Sequence, residues 1–488
     1  MPPQSDLDRR LVRSSAWNAL GSGGSQVITF LLMIVLARLL TPHAFGLVTL
    51  ASLPLIAIGY LQESGLTAAV IRYRGDVRDA AATQLVFAFF SSLLLFVAAF
   101  AAAPLLARLF SQPELTNVFR VLAFTLVLRG AGAAPGALLE REIAFNQRAK
   151  ADIAGIVAQA VVSVALAAAG FGVWSLVAGQ LVNQFSVSAV YWVFAPFRPS
   201  PARASWSMLR ELGQYGRHIA ASNLLLLVND NADNAVIGRL LGATSVGLYN
   251  LAWRLANLPA IEIAIIVGRP SFAIYSSVQH ELREFQTVFL STLRRVLFLS
   301  IPVAVGIMIA AEPLVVGVFG ARWRAAVVPL QILAALGWSR TLAGITAPVF
   351  QASGRPQLNY QIGLWHMAVL VGLLYLLVPS FGVKGVAWAE VCASVASMLP
   401  CYFFALRILD LPFRELAGSL VKPCLSAALV AVVLLLTKTA VAPLPELAKL
   451  VVLVVVGGAA YVATMLTFGR AELQTIIGSF RAQPSPES

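Results

Sequence analysis

The residues best suited to specific chemistry are arginines inside long apolar segments. Arg129 and Arg340 stand near the middle of two such segments, and Arg254 lies within a third. A charge in the hydrocarbon core of a membrane is costly, so these side chains should face protein or a water-filled cavity. Guanidinium binds phosphate oxygens in pairs, because its N–H donors form a planar fork. The pattern therefore predicts a cationic cavity that attracts an anion.

Two more arginines belong to the same prediction. Arg38 and Arg239 lie near the outer ends of the first and seventh apolar segments, where long side chains can reach the membrane surface. The predicted substrate-binding set is Arg129, Arg340, Arg38, Arg239 and Arg254.

Carboxylates also occur within apolar segments. Asp230 and Asp233 lie in the seventh segment, while Glu63 and Glu262 lie in the second and eighth. Two interpretations stay open for these residues. They take part in ion coupling, or they form ion pairs that hold the arginines and join helices.

The composition of the chain indicates which kind of secondary structure carries these charged residues. The chain is 59% hydrophobic and 12% charged, against roughly 45–50% and 25% in soluble domains. Its apolar runs are long enough to cross a bilayer and do not alternate, which favours helices over a barrel. We predict an all-α integral membrane protein with about fourteen transmembrane helices.

The sequence contains no motif that indicates enzymatic activity, a metal site or binding of nucleic acid. The four histidines and three cysteines are scattered, so we predict no metal site and no cofactor. There is no Walker loop, and we predict no enzymatic activity. The net charge of +13 is explained by retention of Lys and Arg on the cytoplasmic side, not by nucleic acid.

The chain contains an internal repeat. Residues 35–51 read VLARLLTPHAFGLVTLA, and residues 236–252 read VIGRLLGATSVGLYNLA. Phe-Gly-Val also occurs in equivalent turns at 171–173 and 381–383. Six segments therefore repeat as six, and the copies run parallel about an axis along the membrane normal.

The repeat predicts the domain organisation. The predicted parts are an N-terminal six-helix bundle at 1–196, a cytoplasmic linker at 197–217, a C-terminal six-helix bundle at 218–409, two additional helices at 410–470 and a cytoplasmic tail at 471–488. Lys- and Arg-rich links lie on one side of the membrane, so both termini are predicted to be cytoplasmic.

In these segments the chain resembles the polysaccharide transporter, or O-antigen flippase, family of the multidrug/oligosaccharidyl-lipid/polysaccharide (MOP) exporter superfamily. The stretches that carry the resemblance are ARLLTPHAFGLVTLA, DNAVIGRLLGATSVGLYNLAWRLANLP, FGVWSLVAGQ and FGVKGVAWAE. The two additional C-terminal helices resemble those of the colanic-acid-exporter type.

The resemblance implies two helical bundles around a central cavity that opens alternately to each side. It implies a polyprenyl-pyrophosphate-linked oligosaccharide as substrate, moved from the cytoplasmic to the periplasmic leaflet of the bacterial inner membrane for exopolysaccharide or lipopolysaccharide synthesis. A polysaccharide polymerase and a chain-length regulator are further expected partners.

Three alternatives stay open. A lipid II flippase for cell-wall synthesis is the nearer alternative. A multidrug or cation antiporter would have a net acidic cavity, whereas this cavity is predicted to be basic. A membrane polymerase or ligase would need acidic catalytic residues near a sizeable loop, and the outer loops are short.

Overall fold

The computed structural model describes residues 24–73, 75–335 and 337–469, with the backbone alone described at 60–65, 213–230, 258–270 and 340. Every regular element in these ranges is helical. The α-helices are α1 (Gly24–Leu39), α2 (Pro42–Arg72), α3 (Val77–Phe110), α4 (Leu115–Leu122), α5 (Phe124–Arg141), α6 (Phe145–Ala168), α7 (Val173–Phe194), α8 (Trp206–Val278), α9 (Leu282–Glu312), α10 (Val327–Ala335), α11 (Gly337–Ala352), α12 (Gln357–Ile408), α13 (Phe413–Ala440) and α14 (Glu446–Phe468).

Most of these helices have the length and composition of membrane spans. Eight helical stretches in the described ranges qualify, and the bent pair Ala321–Ala335 and Gly337–Ala352, which meets at 43°, makes a ninth. The prediction of an all-α membrane protein is confirmed, whereas the count of fourteen stays a prediction.

Helix α3 shows how such a span is built. Its buried residues are small or polar, among them Ala88, Ser92 and Ala103. Its large apolar residues point outward, with Leu94 and Leu105 each 70% exposed. Small residues let helix backbones approach closely, and the large ones suit contact with lipid.

Helices α8 and α12 each contain a glycine with a non-helical backbone conformation. The conformation of the glycine in α12 also occurs in the turn before α7. Gly382 interrupts α12 with φ 57° and ψ −135°, and Gly172 precedes α7 with φ 55° and ψ −126°. Both glycines belong to the repeated Phe-Gly-Val motif. A residue with a Cβ is strained at this φ, so glycine is needed for the turn. Gly242 interrupts α8 in a comparable way, with φ 78°.

The chain forms two compact units, which meet in sequence between Gly247 and Leu248. This point lies within α8, beyond the predicted linker at 197–217. Helix α8 itself begins at Trp206, inside that linker. The predicted domain boundaries stay predictions.

An arginine closes the end of α2 in the first unit. Arg141 Nη1 donates to the carbonyls of Val70 at 2.7 Å, Ile71 at 3.2 Å and Tyr73 at 2.7 Å. The last carbonyls of a helix have no amide partner and carry partial negative charge, so a guanidinium stabilises them. This contact joins α5 to the end of α2.

The two copies of the repeat meet at what we call the repeat crossing, residues 42–47 with residues 243–247. Helix α2 begins there at Pro42, and the hydroxyl of Thr41 accepts from the backbone N of Ala44 at 3.4 Å. A Cβ at Gly46 would overlap the carbonyl of Ala243, and a Cβ at Gly247 would overlap that of Pro42. The two contacts are reciprocal, because the paired positions are equivalent in the repeat.

We expect Gly46→Ala to destabilise the protein, because the new methyl group meets a backbone carbonyl that must shift. Overpacking of this kind costs about 1–3 kcal/mol. The measurement is the thermal unfolding midpoint in detergent. Gly363→Ala in α12 is the matched control, since nothing lies within 4 Å of its Cβ position. Equal unfolding midpoints for the two variants would contradict the tight crossing.

Candidate substrate-binding site

Helix α5, which carries Arg129, lacks one backbone hydrogen bond because it contains a proline. Pro135 has no N–H, so the carbonyl of Ala131 lacks its usual helical donor. The indole Nε1 of Trp192 in α7 donates to this carbonyl at 2.9 Å. Ser188, also in α7, donates its hydroxyl to the carbonyl of Leu128 at 2.8 Å. Helix α7 therefore restores the hydrogen bond that α5 loses at Ala131, and Ser188 adds a contact on the other side of Arg129 in sequence.

Glycines bring α5 close to its neighbours. A Cβ at Gly130 would overlap the hydroxyl of Ser92 in α3. A Cβ at Gly132 would lie 2.6 Å from Ser188 Oγ in α7. These close approaches hold the backbone around Arg129 between two spans.

Arg129 itself is half-buried and points at α2. Its Nη1 lies against Gly59, where a Cβ would overlap it. The span that contains it runs Leu115–Arg141, so Arg129 lies roughly 20 Å from either end at 1.5 Å per residue. Arg129 also makes a polar or ionic interaction with its surroundings. Gly59 thus makes room for a guanidinium near the middle of the span.

A polar cluster surrounds the repeat crossing. His43 places Nδ1 at 3.3 Å from Thr244 Oγ1 and Nε2 at 3.1 Å from Glu114 Oε2. Arg239 donates from Nη1 to Ser111 Oγ at 3.1 Å. The cluster is half-exposed to exposed, so its ion pairs contribute little stability by themselves. They do define the geometry with which the two copies meet.

Sequence reasoning missed His43 and Glu114. The available signal was the repeat, because His43 and Thr244 occupy equivalent positions, 201 residues apart. Glu114 follows a different helix, α3, and nothing in its local sequence indicates the contact.

The other predicted residues are dispersed. Arg38 is exposed at the end of α1, and Arg254 is exposed in the part of α8 that belongs to the second unit. Asp233 is 6% exposed, and its Oδ1 accepts from the backbone N of Asn234 at 2.7 Å. Arg38, Arg254 and Asp233 each make a further interaction.

Four predicted side chains lie outside the described part of the structure. They are those of Arg340 in α11, Glu63 in α2, and Asp230 and Glu262 in α8. The structure thus places Arg129 deep in a span and Arg239 beside the repeat crossing. A cavity shared by Arg129 and Arg340 stays a prediction.

No group of three or more His, Cys, Asp or Glu in the described ranges has the arrangement of a metal site. The chemistry available around Arg129 is therefore that of a fixed cation lined by small residues. Such a group can bind an anion that enters the membrane interior.

The fold is that of known membrane transporters. The structure of lipid II flippase MurJ in an inward closed conformation superposes with a TM-score of 0.77, over 93% of this chain and 99% of that one, at 14% identity. An inward-facing multidrug resistance transporter of the MATE family, in the MOP superfamily, gives a TM-score of 0.63 over 79% and 95% at 18% identity.

The names of three sequence relatives refer to biosynthesis or transport. The teichuronic acid biosynthesis protein TuaB of Bacillus subtilis is 24% identical over 88% of this chain and 89% of its own. The lipopolysaccharide biosynthesis protein WzxC of Escherichia coli is 22% identical over 86% and 85%. The succinoglycan biosynthesis transport protein ExoT of Rhizobium meliloti is 24% identical over 97% and 96%.

Fold and relatives define a multi-pass membrane protein of the transporter class, which confirms the prediction of a transporter instead of an enzyme. The model of the family described as polysaccharide biosynthesis protein matches residues 35–328, more than half of the 488 residues. The chain belongs to this family, and the resemblance to the polysaccharide transporters of the MOP superfamily is confirmed.

We expect cysteines at positions 43 and 244 to be joined by a short bifunctional thiol reagent. His43→Cys with Thr244→Cys is made in a chain whose native cysteines, Cys392, Cys401 and Cys424, are replaced by alanine. Fast crosslinking in native membranes would show that the two copies of the repeat meet there. In the control variant, His43→Cys is combined with Ser205→Cys. The backbone N of Ser205 donates to Thr83 Oγ1 in α3. If both pairs react at the same rate, the repeat crossing does not exist in the membrane.

Proposed function

We propose that the protein is a flippase for polyprenyl-pyrophosphate-linked oligosaccharide repeat units. It moves them from the cytoplasmic to the periplasmic leaflet of the bacterial inner membrane, for exopolysaccharide or O-antigen synthesis. Both termini are cytoplasmic in this proposal. A polysaccharide polymerase and a chain-length regulator act on the delivered substrate.

The observation that carries this proposal is the placement of Arg129. A pyrophosphate that crosses the membrane loses its hydration and needs cationic partners inside. Arg129 supplies a planar fork of donors near mid-span, beside a glycine that makes room for it. Electrostatic attraction there is stronger than in water, because the effective dielectric constant is lower.

The family and the relatives support the substrate class. Their names refer to polysaccharide biosynthesis, lipopolysaccharide biosynthesis and succinoglycan transport. The lipid tail stays in the bilayer while the head group passes the arginines. Arg340, Arg38, Arg239 and Arg254 supply further positive charge along this route.

The alternating mechanism follows from the repeat crossing. A contact built from equivalent backbone positions can open and close as a unit, because glycines and short polar side chains make it. When the repeat crossing is closed, the head group can reach the arginines from one side of the membrane. When the crossing is open, it can reach them from the other side.

We expect Arg129→Ala to abolish the transbilayer movement of a fluorescent polyprenyl-pyrophosphate disaccharide in proteoliposomes. Loss of a charge-assisted pair costs about 1.5–3 kcal/mol, which is roughly a ten- to hundredfold loss of affinity. Arg129→Lys should retain part of the activity, because it keeps the charge and loses the fork.

Arg120→Ala is the matched control. Arg120 lies near the start of the same span, where its guanidinium stacks on Phe100 at 4.7 Å. Wild-type movement by a correctly inserted Arg129→Ala protein would sink the cationic-site proposal. A loss that is equal in both variants would assign the effect to folding.

We expect Gly59→Ala to reproduce much of the Arg129→Ala defect with the arginine still present. The added methyl group occupies the position of Arg129 Nη1, so the guanidinium must move. Gly372→Ala in α12 is the control, since its Cβ position is open. The movement assay above is the measurement, and normal movement by the Gly59 variant would show that the position of the guanidinium does not matter.

A further inference from the structure

A cavity opens on the side of the second unit, between helices α9, α11, α12 and α13. Its volume is about 690 Å³, which is within the range of roughly 300–1,000 Å³ that small-ligand pockets occupy. Leu293, Leu342 and Leu416 are buried on its inner side. Leu399 and Phe413 also line it and are each 71% exposed. The cavity is therefore open toward the outer surface of the spans, where we expect lipid.

The cavity has an apolar body and one charged end. Among the described residues that line it, Arg407 and Asp410 are charged and all others are apolar or aromatic. Arg407 lies in the last turn of α12, and Asp410 follows the end of this helix at Ile408. The apolar lining reaches back along α12 to Met398, about 14 Å from Arg407 at 1.5 Å per residue. This arrangement fits an amphiphile with a charged head and an apolar chain.

The charged end lies at the level of the lipid head groups. The arm of α12 beyond Gly382 is long enough, at about 1.5 Å per residue, to cross a hydrocarbon core of about 30 Å. Its end at Ile408 therefore reaches the head-group region. Arg407 and Asp410 are both exposed there, whereas the apolar part of the cavity lies within the hydrocarbon region.

The two charged side chains are both available to a ligand. In the part of the chain that the structure describes, neither forms an ion pair or a hydrogen bond with the other or with a further residue. A guanidinium binds phosphate oxygens in pairs, and a carboxylate accepts hydrogen bonds from an ammonium group. A cation and an anion that line one cavity without pairing thus suit a zwitterionic head group. A lipid with negative charge alone, such as a polyprenyl pyrophosphate, would be repelled by Asp410.

A buried hydroxyl lies between the charged end and the apolar body. Tyr402 lines the cavity about 8 Å from Arg407 along the axis of α12. Its hydroxyl is buried and has no hydrogen-bond partner among the described residues, which is unfavourable unless a ligand accepts from it. A glycerophospholipid has ester carbonyls between its phosphate and its chains. Arg407, Tyr402 and Met398 follow one another along α12 in the same order as phosphate, ester and chain.

We propose that this cavity binds one molecule of phosphatidylethanolamine from the surrounding membrane. Arg407 binds the phosphate, Asp410 accepts from the ammonium group, and the hydroxyl of Tyr402 donates to an ester carbonyl. An acyl chain lies along the apolar lining between α12 and α13. The lipid is a resident component of the second unit and not the transported substrate, so the site does not rest on the proposed flippase function.

The first experiment compares three lipids with identical acyl chains. Native mass spectrometry of the purified protein measures the binding of added phosphatidylethanolamine, phosphatidylcholine and phosphatidylglycerol. We expect one molecule of phosphatidylethanolamine to bind severalfold more tightly than either of the others. The choline group has a positive charge but no N–H to donate to Asp410, and the glycerol head group has no positive charge.

Point variants assign each part of the head group. Asp410→Asn should remove the preference for phosphatidylethanolamine over phosphatidylcholine, whereas Arg407→Gln should weaken the binding of both severalfold, because both lipids have the phosphate. Tyr402→Phe should also weaken both. The matched controls are Arg414→Gln and Glu415→Gln, which change exposed charges at the start of α13 that do not line the cavity. We expect the controls to keep the wild-type pattern.

The second experiment uses the thermal unfolding midpoint in detergent. A ligand that binds only the folded state raises this midpoint. We expect phosphatidylethanolamine to raise the midpoint of the wild-type protein more than phosphatidylcholine does, and this difference to vanish in Asp410→Asn. The midpoint without added lipid shows whether each variant is folded, so a folding defect is distinguished from a loss of binding.

Three outcomes would overturn the proposal. The first is equal binding of phosphatidylethanolamine and phosphatidylcholine, or a preference that survives in Asp410→Asn. The second is tightest binding of phosphatidylglycerol, which would indicate a site for anionic lipid. The third is no bound lipid of any kind, which would mean that the cavity has another occupant. A protein that binds phosphatidylethanolamine as expected but moves no polyprenyl-pyrophosphate disaccharide would contradict the flippase proposal alone.

Discussion

The structure depends on one constraint: within a membrane, every polar group has to be satisfied by the protein itself. Pro135 deprives Ala131 of its helical donor, and the indole of Trp192 replaces it. Arg141 donates to the carbonyls of Val70 and Tyr73 at the end of α2. These contacts hold α2, α5 and α7 together, and Arg129 lies among them. The helices that surround the arginine are therefore positioned by the repair of backbone hydrogen bonds.

Close backbone contact is the second organising feature. Gly46 and Gly247 let the two copies of the repeat meet without intervening side chains, and Gly59 makes room for a guanidinium. Large side chains of the spans point outward, toward the expected lipid. Affinity between such helices comes from close packing and a few polar contacts, not from burial of apolar surface. A contact of this kind can open without exposing a large apolar area to water, which suits the alternation between states that we propose.

Sequence reasoning is most direct where one residue type imposes a structural requirement by itself. An arginine in an apolar run has to be accommodated inside the protein, and a Phe-Gly-Val turn needs the positive φ that Gly172 and Gly382 adopt. It did not find contacts between residues that are distant in sequence. His43 with Glu114, and His366 with Glu390, look like scattered residues until the helices are packed. The carboxylates predicted for ion coupling or charge pairing were Asp230, Asp233, Glu262 and Glu63, and Glu390 was not among them.

The sequence by itself determined the helical membrane class, the duplication and the depth of Arg129 along its span, because hydrophobic length, repeat spacing and the rise per residue are properties of the chain alone. Only the tertiary structure decided what each charge touches. Helix packing brings Gly59 to Arg129, Thr244 to His43 and Ser397 to His366.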